Sequence, residues 1–118
     1  MQDTGINIHS GNVQMNDAFT GCYSRPLDGR RVRIPPEWAR IFRNRGGVVA
    51  VELPSGRLAL TTKEIAEKSS SAESLKAVHC KMDSRGRITI PKVFRRMFKE
   101  VKNVVLCGSI HYVEIRRK

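Results

Sequence analysis

The chain has 118 residues, enough for one ordinary domain or for two very small units that share a core, and too few for a large multidomain enzyme. Its 22 Lys and Arg against 11 Asp and Glu give a formal charge of +11, far more than solubility needs, which points to a polyanionic partner. Apolar residues make up 40% of the sequence, so a core is available and wholesale disorder is excluded.

Residues 1–18 are rich in Asn, Gln, Asp, Gly and Ser, carry no Lys or Arg, and keep no sustained period, so they read as a flexible N-terminal tail. A repeat follows. Shifting the chain by 56 positions lays Arg31 to Val51 on Arg87 to Cys107 without a gap. The pairs Arg31/Arg87, Ile34/Ile90, Pro35/Pro91, Arg40/Arg96, Phe42/Phe98, Val48/Val104 and Val49/Val105 are identical. Others keep their chemistry, among them Val32/Ile88, Trp38/Phe94, Ile41/Met97 and Arg43/Lys99.

Each copy predicts strand, turn, strand, short helix, strand, strand. The first strand candidates end in Asp, at Arg25-Pro26-Leu27-Asp28 and Cys80-Lys81-Met82-Asp83, and a basic turn follows each. Arg31 to Ile34 and Arg87 to Ile90 alternate as strands, closed by Pro35 and Pro91, with Pro36 suited to a first helical turn. Trp38, Ile41, Phe42 and Phe94, Met97, Phe98 then fall at i, i+3, i+4. That places them on one buried helix face, as core rather than as a base-stacking platform. Gly46-Gly47 ends the first helix before a hairpin, Val48 to Leu53 and Arg57 to Leu60, turning at Pro54-Ser55-Gly56. Its counterpart is Asn103 to Cys107 and Tyr112 to Ile115. A helix over Thr62 to Lys68, capped by Thr61 or Thr62, follows the first copy only. The expected organisation is a tail at 1–18, a first repeat with its helix at 19–68, a linker at 69–78 and a second repeat at 79–118. Neither unit buries a sufficient core alone, so the two must pack or interleave. The fold class is mainly β with short helices (α+β).

The charge follows the repeat. Arg25 to Arg45 holds seven basic residues and Lys81 to Lys102 holds eight, 15 of the 22 in all. Each copy gathers Arg at the turn between its first two strands: Asp28, Arg30, Arg31 and Arg33 in one, Asp83, Arg85 and Arg87 in the other. A guanidinium pairs bidentately with phosphate or with the O6/N7 edge of guanine, and an Asp opening the turn bonds backbone N–H groups and holds the Arg in place. Taken singly, Asp-x-x-x-Arg is a common string that a local ion pair explains. The recurrence of an Asp-led, Arg-bearing turn in both copies, with the net charge, makes these seven residues the candidate DNA-binding set.

Other chemistry finds no footing. Cys22, Cys80 and Cys107 are odd in number and far apart, with no Cys-x-x-Cys pair, and His79, next to Cys80, and His111, four residues after Cys107, lie in strand or turn. No metal site, disulfide framework or cofactor is expected. No nucleophile and base stand at a recognisable spacing, and no Gly-rich phosphate loop opens a helix, so an enzyme with a small-molecule substrate is not expected. No long apolar run or basic amphipathic helix suits a membrane, which leaves a cytoplasmic protein.

Asp83-Ser84-Arg85-Gly86-Arg87-Ile88-Thr89-Ile90-Pro91, with Val104 to Gly108 and Val113-Glu114-Ile115, resembles the second repeat of the MraZ transcriptional regulators. These belong to the AbrB-type swapped-hairpin superfamily with SpoVT-like regulators and MazE-like antitoxins, and the resemblance covers roughly Thr20 to Arg116. It implies a double swapped-hairpin β-barrel in which the Asp-x-x-x-Arg turn of each repeat contacts double-stranded DNA. It further implies a nucleoid-associated repressor and a homo-oligomer able to form a ring. The first copy departs from the pattern, since Asp28-Gly29-Arg30-Arg31 is one residue short. The alternative is an antitoxin-like or scaffold protein that binds a protein partner and touches DNA weakly. MazE-like proteins, however, carry one unit and an acidic tail, whereas this chain has two units and a basic end.

Overall fold

The computed structural model describes residues 18–68 and 77–118. In chain order the elements are β1 (Cys22–Pro26), β2 (Arg31–Arg33), α1 (Pro36–Asn44), β3 (Val48–Glu52), β4 (Leu58–Thr62), α2 (Lys63–Lys68), β5 (Ala77–Cys80), β6 (Arg87–Thr89), a 3-10 helix (Lys92–Phe98), β7 (Asn103–Gly108) and β8 (Tyr112–Arg117). Moving β2 by 56 residues lands it on β6, and β3 and β4 fall on β7 and β8 within one or two residues at their ends.

Six strands form one antiparallel sheet in the order β1-β7-β8-β4-β3-β5, and β2 and β6 form a separate two-stranded ribbon. The order reads alike from either end. The first strand of each unit pairs with the hairpin of the other, as Tyr23↔Leu106 and Val78↔Ala50. The two hairpins meet in the middle, where Leu60 faces Val113. Hydrogen bonding therefore runs as an open-ended sheet plus a ribbon rather than as one continuous ring of strands. Each first strand ends as an edge, and Pro26, which has no N–H to offer, sits at such an edge in β1.

Period-2 alternation decides which side is core. Val48, Ala50, Leu58, Leu60, Val104, Leu106, Val113 and Ile115 are all buried on one face of the sheet. Val32, Ile34, Ile88 and Ile90 close over it from the ribbon. Matched positions of the repeat, Val32/Ile88, Ile34/Ile90, Trp38/Phe94, Phe42/Phe98 and Val48/Val104, enter one shared core. The aromatic residues are core, as the helix-face reading has it: Trp38, Phe42 and Phe94 are fully buried and Phe98 nearly so. Phe19 joins them, its ring 4.8 Å from Phe42 and edge-on to Trp38 at 6.0 Å.

Three local expectations hold in detail. Gly46 and Gly47 both take positive φ after α1, and the Gly47 N–H bonds the Phe42 carbonyl at 2.8 Å. Thr62 caps α2, its Oγ1 accepting from the Ile65 N–H at 3.1 Å. The hairpin β3–β4 turns at Pro54-Ser55-Gly56 with Gly56 at φ +87°.

Other expectations need correction. The second helix is a 3-10 helix: α1 has Pro36 at its start and Glu37 in its first turn, whereas Lys92 and the β-branched Val93 stand there in the second unit, against the helix dipole and propensity. The first strands, expected to end at Asp28 and Asp83, run instead over Cys22–Pro26 and Ala77–Cys80, because Asp28 and Asp83 are drawn into turns. The linker expected over 69–78 ends sooner, since Ala77 and Val78 pair with Val51 and Ala50. Residues 69–76 of it, and 1–17 of the expected tail, lie outside the described residues. Ala18 at the end of that tail is buried.

Candidate nucleic-acid interface

The ribbon brings all seven predicted residues together. Its register, Arg31↔Thr89, Val32↔Ile88 and Arg33↔Arg87, sends Val32 and Ile88 into the core and leaves Arg31, Arg33, Arg87 and Thr89 on the outward face. Because the strands are antiparallel, the turn that opens β2 lies at one end of the ribbon and the turn that opens β6 at the other. Three residues per strand set the two ends about 7 Å apart. With five Arg against Asp28 and Asp83, the set carries a net +3 (5 − 2). Arg33 and Arg87 face each other directly, a like-charge pair that would weaken a ribbon unless an anion lies near.

The second turn supplies one itself. Asp83 Oδ1 accepts from the backbone N–H groups of Arg85 and Arg87, both at 2.9 Å, and Oδ2 accepts from Arg87 Nε at 2.8 Å. The Asp83 N–H bonds the Arg87 carbonyl, the Gly86 N–H bonds the Asp83 carbonyl, and Gly86 stands at φ +78°. This is a three-residue loop with glycine in the left-handed position. The hydrogen bonds, that from the Arg87 N–H foremost, hold the Asp83 carboxyl down at about 2. From α1, Arg43 donates to the carbonyls of Asp83 at 3.1 Å and Ser84 at 3.4 Å. Arg87 is thus fixed, while Arg85 projects from a rigid loop into solvent.

The first turn is built differently, as its missing residue requires. Asp28 and Arg31 exchange backbone hydrogen bonds at 2.9 and 3.0 Å across Gly29 and Arg30. Gly29 has φ +65° at the first central position, the residue and sign of a type II′ turn. Among the described residues the Asp28 carboxylate accepts no hydrogen bond, so the cap that orders the second turn has no equivalent here. Arg30 and Arg31 are exposed and flank a shallow depression with Asp28, Gly29 and Thr89.

The two turns are nevertheless tied to each other through the backbone. The Ile34 N–H donates to the Gly86 carbonyl and the Ile90 N–H to the Arg30 carbonyl, each at 2.8 Å. These bonds are equivalent under the 56-residue shift, so each turn is held by the strand end of the opposite unit.

Two supporting residues escape a sequence reading. Arg43 has no local signal beyond its repeat match to Lys99. Glu114, 9% exposed, accepts from Arg57 at 3.0 Å and Arg116 at 2.6 Å, and the Arg116 bond leads in holding its carboxyl below the usual range. Its two partners, Arg57 and Arg116, line a second cationic cleft together with Arg96 and Arg117.

Residues 74–118 match a family model described as "MraZ protein, putative antitoxin-like". The C-terminal unit is MraZ-like. The match takes in the whole MraZ-like turn, the strand β6 and the hairpin β7–β8, the segment whose residues carry the sequence resemblance. No curated protein matches the chain. Among the described residues no helix is long and apolar enough to cross a membrane.

Proposed function

We propose that the chain is a sequence-specific DNA-binding transcriptional regulator that presents the β2–β6 ribbon and its two Arg turns to double-stranded DNA. One observation carries the reading: three Arg from two separate segments share the outward face of a ribbon whose other face is core, with Arg30 and Arg85 exposed in the turns at its two ends. A two-stranded ribbon fits a major groove about 12 Å wide, and Arg pairs bidentately with guanine there. Arg30 and Arg85, at opposite ends, suit phosphates, and Arg31, Arg33 and Arg87 lie on the ribbon face between them. The MraZ-like match supports a regulator. On this reading the exchange of first strands between hairpins is the swapped-hairpin arrangement of that superfamily, and the protein acts in the cytoplasm at the nucleoid, as a homo-oligomer and a repressor.

The test combines selection of bound sequences from a random DNA pool with a salt titration. Two phosphate-neutralising Arg per chain, Arg30 and Arg85, predict a slope of log K on log salt of about −1.8, and Arg85→Ala removes about 0.9 of it. Unchanged affinity and slope in Arg30→Ala, Arg85→Ala and Arg87→Ala would overturn the assignment. The antitoxin-like wording of the family description favours one second reading, a protein that binds a protein partner with only weak DNA contact. A stoichiometric partner in a pull-down, with no selected DNA motif, would establish it instead.

A further inference from the structure

Cys22 on β1 and Cys107 on β7 stand directly opposite each other, one from each unit. Two bonds fix where they fall in the ladder. The Gly108 N–H donates to the Gly21 carbonyl and the Leu27 N–H to the Lys102 carbonyl, both at 2.8 Å, so 21/108 and 27/102 are hydrogen-bonded pairs. Cys22/Cys107 is therefore a non-hydrogen-bonded pair. In such a pair the Cα atoms lie about 4.5 Å apart with side chains on one face, inside the roughly 4.4–6.8 Å that a disulfide spans. Cys22 is exposed and Cys107 half-buried. The neighbouring Cys22 thiol is the first cause that raises the Cys107 thiol above its ordinary range. Cys80 is different: it is buried on the core face, and burial pushes its thiol up to about 12.

We propose that Cys22 and Cys107 form a dithiol–disulfide couple that joins the two units when a low-molecular-weight disulfide such as oxidised glutathione is present. The exposed Cys22 thiolate attacks one sulfur of that disulfide, whose S–S bond breaks and releases one thiol, leaving a mixed disulfide on Cys22. Cys107 then loses its proton and attacks the Cys22 sulfur, and the second small thiol leaves. Two cysteine thiols are oxidised, one small disulfide is reduced to two thiols, and no backbone movement is needed.

The experiment uses the full chain incubated with oxidised glutathione. Titratable thiols fall from the three present to one, the intact mass drops by two hydrogens, and a digest joins the Cys22 and Cys107 peptides. The closed loop raises the thermal midpoint by roughly 10 °C, reversed by reductant. Cys107→Ser stops at a glutathione adduct on Cys22, and Cys80→Ser closes as the parent does. A parent chain that keeps the adduct, fails to react, bonds Cys22 to Cys80, or links only between molecules overturns the proposal.

Discussion

Replacing Gly108 with alanine tests how closely the chain before β1 lies against the end of β7. A Cβ at Gly108 would come within 2.5 Å of the Phe19 carbonyl carbon and 2.6 Å of both the Phe19 oxygen and the Thr20 nitrogen. All three are backbone atoms, so no side chain can swing aside. Relief requires the 19–20 segment to retreat by about an ångström, toward ordinary contact. That motion works against the two Phe19–Ile110 backbone bonds, at 3.0 and 2.8 Å, worth about 1 kcal/mol each. It also loosens the Phe19 ring from Trp38 and Phe42, and a fully buried Phe is worth about 1.5–3 kcal/mol. Alanine returns about 0.4–1 kcal/mol by restricting the unfolded chain. The net expectation is a loss of about 1–4 kcal/mol. Urea unfolding followed by the fluorescence of Trp38 reads it as a lower midpoint at unchanged slope. A Gly108→Ala protein as stable as the parent would refute the close approach and with it the seating of Phe19.

Asp83 gives a pH prediction. Its carboxyl titrates at about 2 in the fold, below its ordinary 3.8, so the order it lends the turn is complete above pH 4 and lost as pH falls through about 2. A carbon-detected titration of the Asp83 carboxyl shows this directly, and Asp83→Asn loosens the 83–87 turn at neutral pH, seen as faster amide exchange at Arg85 and Arg87. Glu114→Gln removes the counter-charge of Arg57 and Arg116. Because the Glu114 carboxyl is held low, the stability gap between variant and parent is full at neutral pH and closes as pH falls below the ordinary carboxylate range, by urea titration at several pH values. Thr62→Ala removes the α2 cap and costs about 1 kcal/mol by the same unfolding assay, with the sheet unaffected in far-UV spectra.

Much of this fold is written locally. The alternation of Arg31 to Ile34 and Arg87 to Ile90, the Gly46-Gly47 stop and the Thr62 cap each depend on a few neighbouring residues; the stop and the cap appear where the sequence puts them, and the strands end one residue sooner, at Arg33 and Thr89. The ribbon and its two turns were foreshadowed by the repeat, which sets Arg31 on Arg87 and so pointed to two like turns. What lay hidden is long-range. Nothing around Ala77 announces that it will pair with Val51, nor does Cys22 announce Cys107, since such pairing depends on which hairpin edge is free in three dimensions. Arg43 reaches residues forty positions away, and Glu114 gains its meaning only when Arg57 is folded beside it. The 3-10 helix of the second unit turned on a balance of propensity and dipole too fine for the shared apolar pattern to reveal.

The crossed bonds from Ile34 to Gly86 and from Ile90 to Arg30 make two unlike turns parts of one frame. Two identical chains assembled this way would carry the same turn at both ends of the ribbon, and any change in one would appear in the other. A single chain holding both units is released from that constraint. One end carries a carboxylate-capped loop with a fixed Arg, while the other is a shorter glycine turn with two exposed Arg. The ribbon consequently has a head and a tail, and a molecule built from near-copies gains a direction along whatever it lies upon.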